Sequence, residues 1–306
     1  MSRLRNLSLF LVLAAVWGSA FVAIKAGLAY FPPVLFAAFR FDVAGVVMLA
    51  YAAYAVDDPI PRGRDAWLEV LSGAVFIIAA YHSFLFVGET DPAVTSAVAA
   101  VIVSLSPLLT TVFARAFLPA ERLTAIGALG LAIGLVGAVV LANPDPANLT
   151  GGGTVAKLLV LLAAASFALG SVLSRASEAD IAVETMEAWA MLLGAGLTHL
   201  VSLAVGESVA DVAWTTESLL ALGYLSVVAS GLGFLIYFDL LDRLGPIEIN
   251  LVSYVAPVFA AVVGWLLLDE GITATTVAGF LIICVGFALV KRDAIREELR
   301  AAGLAR

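Results

Sequence analysis

Two cations interrupt apolar stretches of this chain, at Lys25 and Arg40. A charge at the centre of a bilayer costs about 2.5–3.5 kcal/mol on insertion scales, so such residues need a reason. Lys25 lies near the end of its apolar run, ~27 Å along at 1.5 Å per residue, where it either lines a pathway or snorkels to the surface. Arg40 sits ~10 Å past the break at Pro32-Pro33 and has farther to reach. Asp42 cannot face it, because positions i and i+2 point apart on a helix. Arg40 therefore needs water, a substrate anion or a carboxylate such as Glu89 or Asp91, either as a substrate and gating residue or as a structural ion pair. Asp42 is the carboxylate nearest mid-membrane and the first candidate for a proton site, since burial disfavours a carboxylate's charged form. His82, beside Tyr81, is either a titrating group near neutral pH or a hydrogen-bonded packing residue.

Two prolines sit inside apolar runs, Pro107 and Pro257. A mid-helix proline removes one backbone bond and kinks the helix, and paired breaks in corresponding segments point to a transporter's binding site. Ser104 and Ser106 precede the first, and Asn250, Ser253 and Tyr254 precede the second. These polar groups either bind substrate or bond the carbonyls that the prolines free. Trp17, Trp189 and Tyr237 are candidate aromatic walls, whereas Trp67 and Trp214 read as interfacial anchors.

The elements that would carry these residues are all helical. Of 306 residues, 62% are hydrophobic and 13% charged, against about a quarter charged in a soluble domain. Apolar segments fall at about 7–30, 33–55, 67–88, 92–118, 123–141, 155–174, 183–204, 218–240, 246–268 and 272–290. Backbone groups in lipid must be satisfied internally, so these predict ten transmembrane helices. Arg3 and Arg5 before the first run do not make it a signal peptide, because the run continues past Ala20. With the N-terminus inside, Arg3, Arg5, Arg62, Arg64, Arg115, Arg122, Arg175, Arg243 and the basic tail from Lys291 fall on the cytoplasmic side. This predicts a multi-pass cell-membrane protein with both termini cytoplasmic.

The chain also repeats itself. Setting Glu121 on Glu270, an offset of 149 residues, brings Thr124 onto Thr273, Gly130 onto Gly279, Ile133 onto Ile282 and Gly137 onto Gly286. Five helices is an odd number, so the two halves enter the membrane from opposite faces. The expected fold is all-α, with ten transmembrane helices as two inverted five-helix repeats, an architecture of secondary transporters. Gly127, Gly130, Gly134 and Gly137 share one helix face and allow close packing, inside the protomer or between two protomers, which leaves a homodimer open.

Other classes find little support. The net charge of −8 and the scarcity of lysine speak against a nucleic-acid partner. One cysteine, Cys284, and two histidines far apart in sequence give no metal cluster. No HExxH, G-x-S-x-G or GxxxxGK[ST] motif occurs, and no cofactor is expected. Tyr237-Phe-Asp239 lacks the second aspartate that an intramembrane protease needs. The expected partners are the lipid bilayer and a small-molecule substrate. A sensor or scaffold without transport is the alternative.

Trp17-Gly-Ser-Ala-Phe-Val-Ala-Ile-Lys25, Ala38-Phe-Arg40-Phe, Ser106-Pro107 through Glu121-Arg-Leu-Thr, and Tyr254-Val-Ala-Pro257 through Asp-Glu270-Gly-Ile-Thr together resemble the drug/metabolite transporter superfamily, EamA type. The resemblance implies a first EamA-like repeat at 1–141, an extracytoplasmic loop at 142–153, a second repeat at 154–290 and a cytoplasmic amphipathic tail at 291–306. It further implies a central cavity between the halves and export or exchange of small metabolites or amino acids without ATP. Helices 4 and 9 would then bend at Pro107 and Pro257.

Overall fold

The structure is a computed structural model, and it describes residues 2–117, 125–143, 151–177, 179–290 and 292. The Glu121 turn, most of the loop with Asn148 and nearly all of the basic tail lie outside the described residues. Among the described residues every regular element is helical. We label the spans α1 (Ser2–Gly27), α2 (Pro33–Ala55), α3 (Gly63–Gly88), α4 (Ser96–Phe117), α5 (Ala125–Ala142), α6 (Gly152–Ala176), α7 (Val183–Ala204), α8 (Thr216–Leu240), α9 (Val252–Leu268) and α10 (Ala274–Val290). Seven are long and apolar enough to cross a membrane, and Ala125–Leu141, Val252–Leu268 and Ala274–Val290 are shorter apolar helices. The protein is thus an all-α integral membrane protein whose ten helices form two inverted five-helix repeats.

The inversion can be read from contacts. Across the halves, α1 packs on α9 and α6 on α4; α1 packs on α8 and α6 on α3; α2 packs on α8 and α7 on α3. Each contact has a counterpart with the halves exchanged, while α2 meets α7 and α5 meets α10. Such reciprocity marks a two-fold interface, in which i touches j and j touches i. The α5–α10 seam shows its direction. A Cβ on Gly130 would lie 2.6 Å from the Gly286 carbonyl oxygen, and one on Gly137 would lie 2.8 Å from that of Gly279. The positions rise in one helix as they fall in the other, so the helices run antiparallel, and no side chain fits between them. Gly134 instead meets the Leu108 side chain of α4. Gly130, Gly134 and Gly137 thus pack inside the protomer.

Several helix starts differ from the sequence expectation, each for a local reason. The fourth helix begins at Ser96, not near Pro92, because the Thr95 hydroxyl caps it by accepting the Val98 N–H. Before it, the Asp91 carboxylate accepts the Ala93 N–H and holds a turn. Helical backbone runs from Gly233 to Asn250 and breaks at Leu251, so the ninth helix starts at Val252 rather than 246. Two π-helical segments appear that apolar patterning cannot reveal, Gly73–Ala80 in α3 and Tyr224–Leu232 in α8. They lie on corresponding helices of the two repeats. π turns free backbone groups and concentrate at functional sites. Here one carbonyl of each segment accepts a bond from across the seam: Trp17 Nε1 donates to Ala229 O at 3.1 Å, and Ser166 Oγ donates to Phe76 O at 2.8 Å. Trp17 and Ser166 are separated by the same 149 residues that relate the repeats.

Candidate functional site

Arg40 is 8% exposed, placed by α2 against α8. Its Nε donates to Ser230 Oγ at 3.2 Å, a hydroxyl carried by the π segment of the other half. Its guanidinium carbon lies 5.0 Å from the Phe41 ring centroid. Tyr81 of α3, Glu89 just beyond α3, and Tyr224 of α8 are within electrostatic range. Tyr224 in turn donates its hydroxyl to Val16 O at 3.0 Å, tying α8 to α1. A cation buried this far needs such company.

Lys25 does not simply reach for the surface. Its Nζ donates to the carbonyls of Glu89, Asp91 and Val94 at 2.7, 2.9 and 2.9 Å. An ammonium has three protons, so this set uses all of them and fixes the α3–α4 turn onto α1. A cavity of about 620 Å³ opens beside it, lined in part by Tyr30, Thr95, Glu217 and Glu270.

This end of the molecule carries acidic caps that the sequence reading missed. Pro33 has no N–H and Pro32 supplies no capping side chain, so the first amides of α2 need an outside acceptor. Glu207, in the α7–α8 connection, accepts Val34 N–H at 3.0 Å and Leu35 N–H at 2.7 Å. Ser202 Oγ holds the same carboxylate at 2.9 Å. Likewise Glu270 accepts the Ser96 N–H at 3.0 Å and the Ser96 hydroxyl at 3.2 Å, capping α4. Asp269, left-handed at φ 54°, turns Glu270 back, and Gly264 leaves the space for its carboxylate. In both cases a carboxylate of the second half stabilises a helix N-terminus of the first, where the helix dipole favours negative charge. The sequence signal was present: two consecutive prolines at a helix start, and an Asp-Glu pair after an apolar run.

The remaining sequence candidates separate. Ser104 Oγ donates to Val101 O at 2.6 Å and Ser106 Oγ to Val103 O at 2.7 Å, so both hydroxyls bond their own helix. Helix α4 breaks at Ser104-Leu105, just ahead of Pro107. In α9, by contrast, helix continues through Pro257. Tyr254 is buried with its ring 4.3 Å from Phe287, and its hydroxyl has no hydrogen-bond partner among the described residues. Ser253 is half-buried on the same helix, and the Asn250 side chain lies outside the described residues. His82 is buried between Phe41, Tyr81 and Phe86, with Nδ1 3.0 Å from Ile78 O, which is the packing role. Trp17 stacks with Phe234 and Tyr237. Trp189 is at the opposite end, donating to Pro59 O at 2.8 Å and edge-on to Trp67. Asp42 lies apart from this cluster: its side chain is 46% exposed and 2.8 Å from His199 Nε2. It points off α2 toward α7, away from the Arg40 face.

The arrangement has no nucleophile–base pair, and no group of metal-ligating side chains occurs among the described residues. What it offers is a buried cation at the meeting of both halves, framed by hydroxyls and one buried acid. Comparisons with known proteins give the family. Residues 5–143 and 154–292 each match the EamA-like transporter family. "Uncharacterized transporter YoaV" of Bacillus subtilis is 27% identical over 89% of this chain and 91% of its own. "Uncharacterized inner membrane transporter YedA" of Escherichia coli K12 is 30% identical over 81% of this chain and 78% of its own. "Probable terminal-alkyne amino-acid exporter" of Streptantibioticus cattleyicolor is 29% identical over 95% of each chain. A solved crystal structure superposes with a TM-score of 0.67 at 24% identity, over 96% of this chain and 99% of that one, a likeness of fold alone. With its duplicated domain, inverted halves and membrane-spanning helices, this chain belongs to the EamA-like transporter family, whose named relatives are membrane transporters.

Proposed function

We propose that the protein is a secondary exporter or exchanger of small metabolites, with zwitterionic amino acids as the favoured class, working by alternating access without ATP. The supporting observation is Arg40, a nearly buried guanidinium held by Ser230 across the seam of the two repeats. A planar fork of donors suits a carboxylate, and Arg holds one bidentately. The exporter-named relative in Streptantibioticus cattleyicolor points to the same substrate class. Lys25, Arg40 and Tyr81 form the substrate pathway in this reading. The prolines Pro107 and Pro257 act as hinges, and both termini face the cytoplasm. The Glu207 and Glu270 caps then tie the two halves together at the outer end.

The test is flux. Proteoliposomes holding the purified protein should release a pool of radiolabelled amino acids faster than empty liposomes, and Arg40→Ala should abolish the difference. No flux above empty liposomes, with folded protein present, would overturn the amino-acid reading.

A further inference from the structure

Glu89 is wholly buried, and neither of its carboxyl oxygens has a hydrogen-bond partner among the described residues. The neighbouring cations do not supply one. Lys25 uses its ammonium protons on three backbone carbonyls, one of them that of Glu89 itself. The hydrogen bond that Arg40 makes goes to Ser230. A carboxylate left in this condition is expensive, because burying an ion without donors costs several kcal/mol. A neutral carboxylic acid in the same place costs far less.

Burial is the largest influence on it, and the facing charges offset that only in part: two attract a carboxylate and one repels it. Lys25 of α1 and Arg40 of α2 attract a carboxylate there, and Glu270 of the α9–α10 turn repels it. Tyr81 of α3 is within electrostatic range of both Glu89 and Arg40. Asp91 acts on Lys25, and Lys157 of α6 faces Asp91. Tyr224 of α8 lies within range of Arg40. An acid in such a setting is stable neutral while nothing else is bound, and is made anionic by one arriving positive charge.

We propose that Glu89 is a proton-exchange site and the acidic half of a zwitterion site whose basic half is Arg40. The substrate's ammonium displaces the proton from Glu89 while its carboxylate binds the Arg40 guanidinium. The balance is one for one: the O–H bond of the Glu89 carboxyl breaks, its proton leaves to water, and the carboxylate so formed pairs with the ammonium. Substrate and proton therefore exclude each other, and the cycle exchanges one proton for one neutral zwitterion. Each turnover moves one net positive charge against the direction of the substrate. This rests on the transport reading above, and it adds the coupling ion and the group that carries it.

Two measurements on the full chain in lipid nanodiscs and proteoliposomes test it, using an equimolar pool of the twenty protein amino acids as the probe. Infrared difference spectra at neutral pH should show a protonated carboxylic-acid band in the wild type that is absent from Glu89→Gln and shrinks when the pool is added. In proteoliposomes with an imposed proton gradient, wild type should accumulate label at least about tenfold over the gradient-free control. Glu89→Gln should lose that gradient-driven gain, and Glu89→Asp should recover part of it with a shifted pH profile. A neutral-pH spectrum identical in wild type and Glu89→Gln overturns the proposal, as does undiminished gradient-driven accumulation in Glu89→Gln. A band that is present and lost in Glu89→Gln, in a protein that moves none of the probe, supports the buried proton and overturns the amino-acid reading instead.

Discussion

The two seams between the repeats are built on opposite principles. Along α5 and α10, four glycines bring backbone against backbone, with carbonyl oxygens where side chains would be. Where α1 and α2 face α8, the seam is polar and adaptable: Arg40 meets Ser230 of a π segment there, and Trp17 bonds the Ala229 carbonyl of the same segment. The same pseudo-two-fold relation governs both. Packing without side chains has few alternative arrangements, so the glycine seam suits a fixed support. A seam held by hydrogen bonds and widened turns can trade partners at small cost, and substrate chemistry belongs there.

Substitutions at the two seams should fail in different ways. The largest effect is expected at the glycine seam. Gly137→Leu forces a side chain into the Gly279 carbonyl and Ile283, and should destabilise by about 3 kcal/mol or more, read as loss of folded protein in thermal unfolding in detergent. A stable Gly137→Leu protein would show that this seam is not tight. Next, Arg40→Ala should lower amino-acid flux roughly tenfold or more, with folded protein still recovered from the membrane. Flux at the wild-type level would move the site elsewhere. Smaller still, Glu207→Ala removes the acceptor for two α2 amides and should cost about 1 kcal/mol in thermal unfolding. It should also raise labelling of a cysteine placed at Tyr30, because the cap joins the halves at that end. The smallest effect belongs to Ser104→Ala and Ser106→Ala, whose hydroxyls serve their own helix; flux should stay within about twofold. A large loss there would bring α4 back into the substrate pathway.

The ten helices and the duplication were legible because lipid leaves the backbone few options, and because Gly130, Gly137, Gly279 and Gly286 keep their spacing in both halves. Arg40 was legible as an isolated charge in an apolar run, and Glu89 was named among its prospective partners. Its burial was not legible, since it follows from how the α3–α4 turn folds under Lys25. The partner of Asp42 was not legible, because depth along a helix says nothing about which way the side chain faces, and here it faces His199. The π segments were hidden because they contain the same apolar residues as a regular helix. Ser104 and Ser106 had two open roles, and only the local hydrogen bonds separate them. Pro257 looked like the twin of Pro107, yet α9 runs through it while α4 is interrupted ahead of its own proline.

The π segments carry a mechanical corollary. A π turn holds one more residue than an α turn, and letting that residue slip out would swing the helix beyond it by on the order of 100°, one step of a 3.6-residue turn. In α3 the part beyond Gly73–Ala80 ends at Glu89; in α8 it bears Phe234 and Tyr237. Each half thus has a built-in ratchet tooth, engaged from the opposite half by Trp17 or Ser166. Deleting one residue within Gly73–Ala80 would file that tooth away, and exchange by such a protein at the wild-type rate would show that the turn is only a spacer.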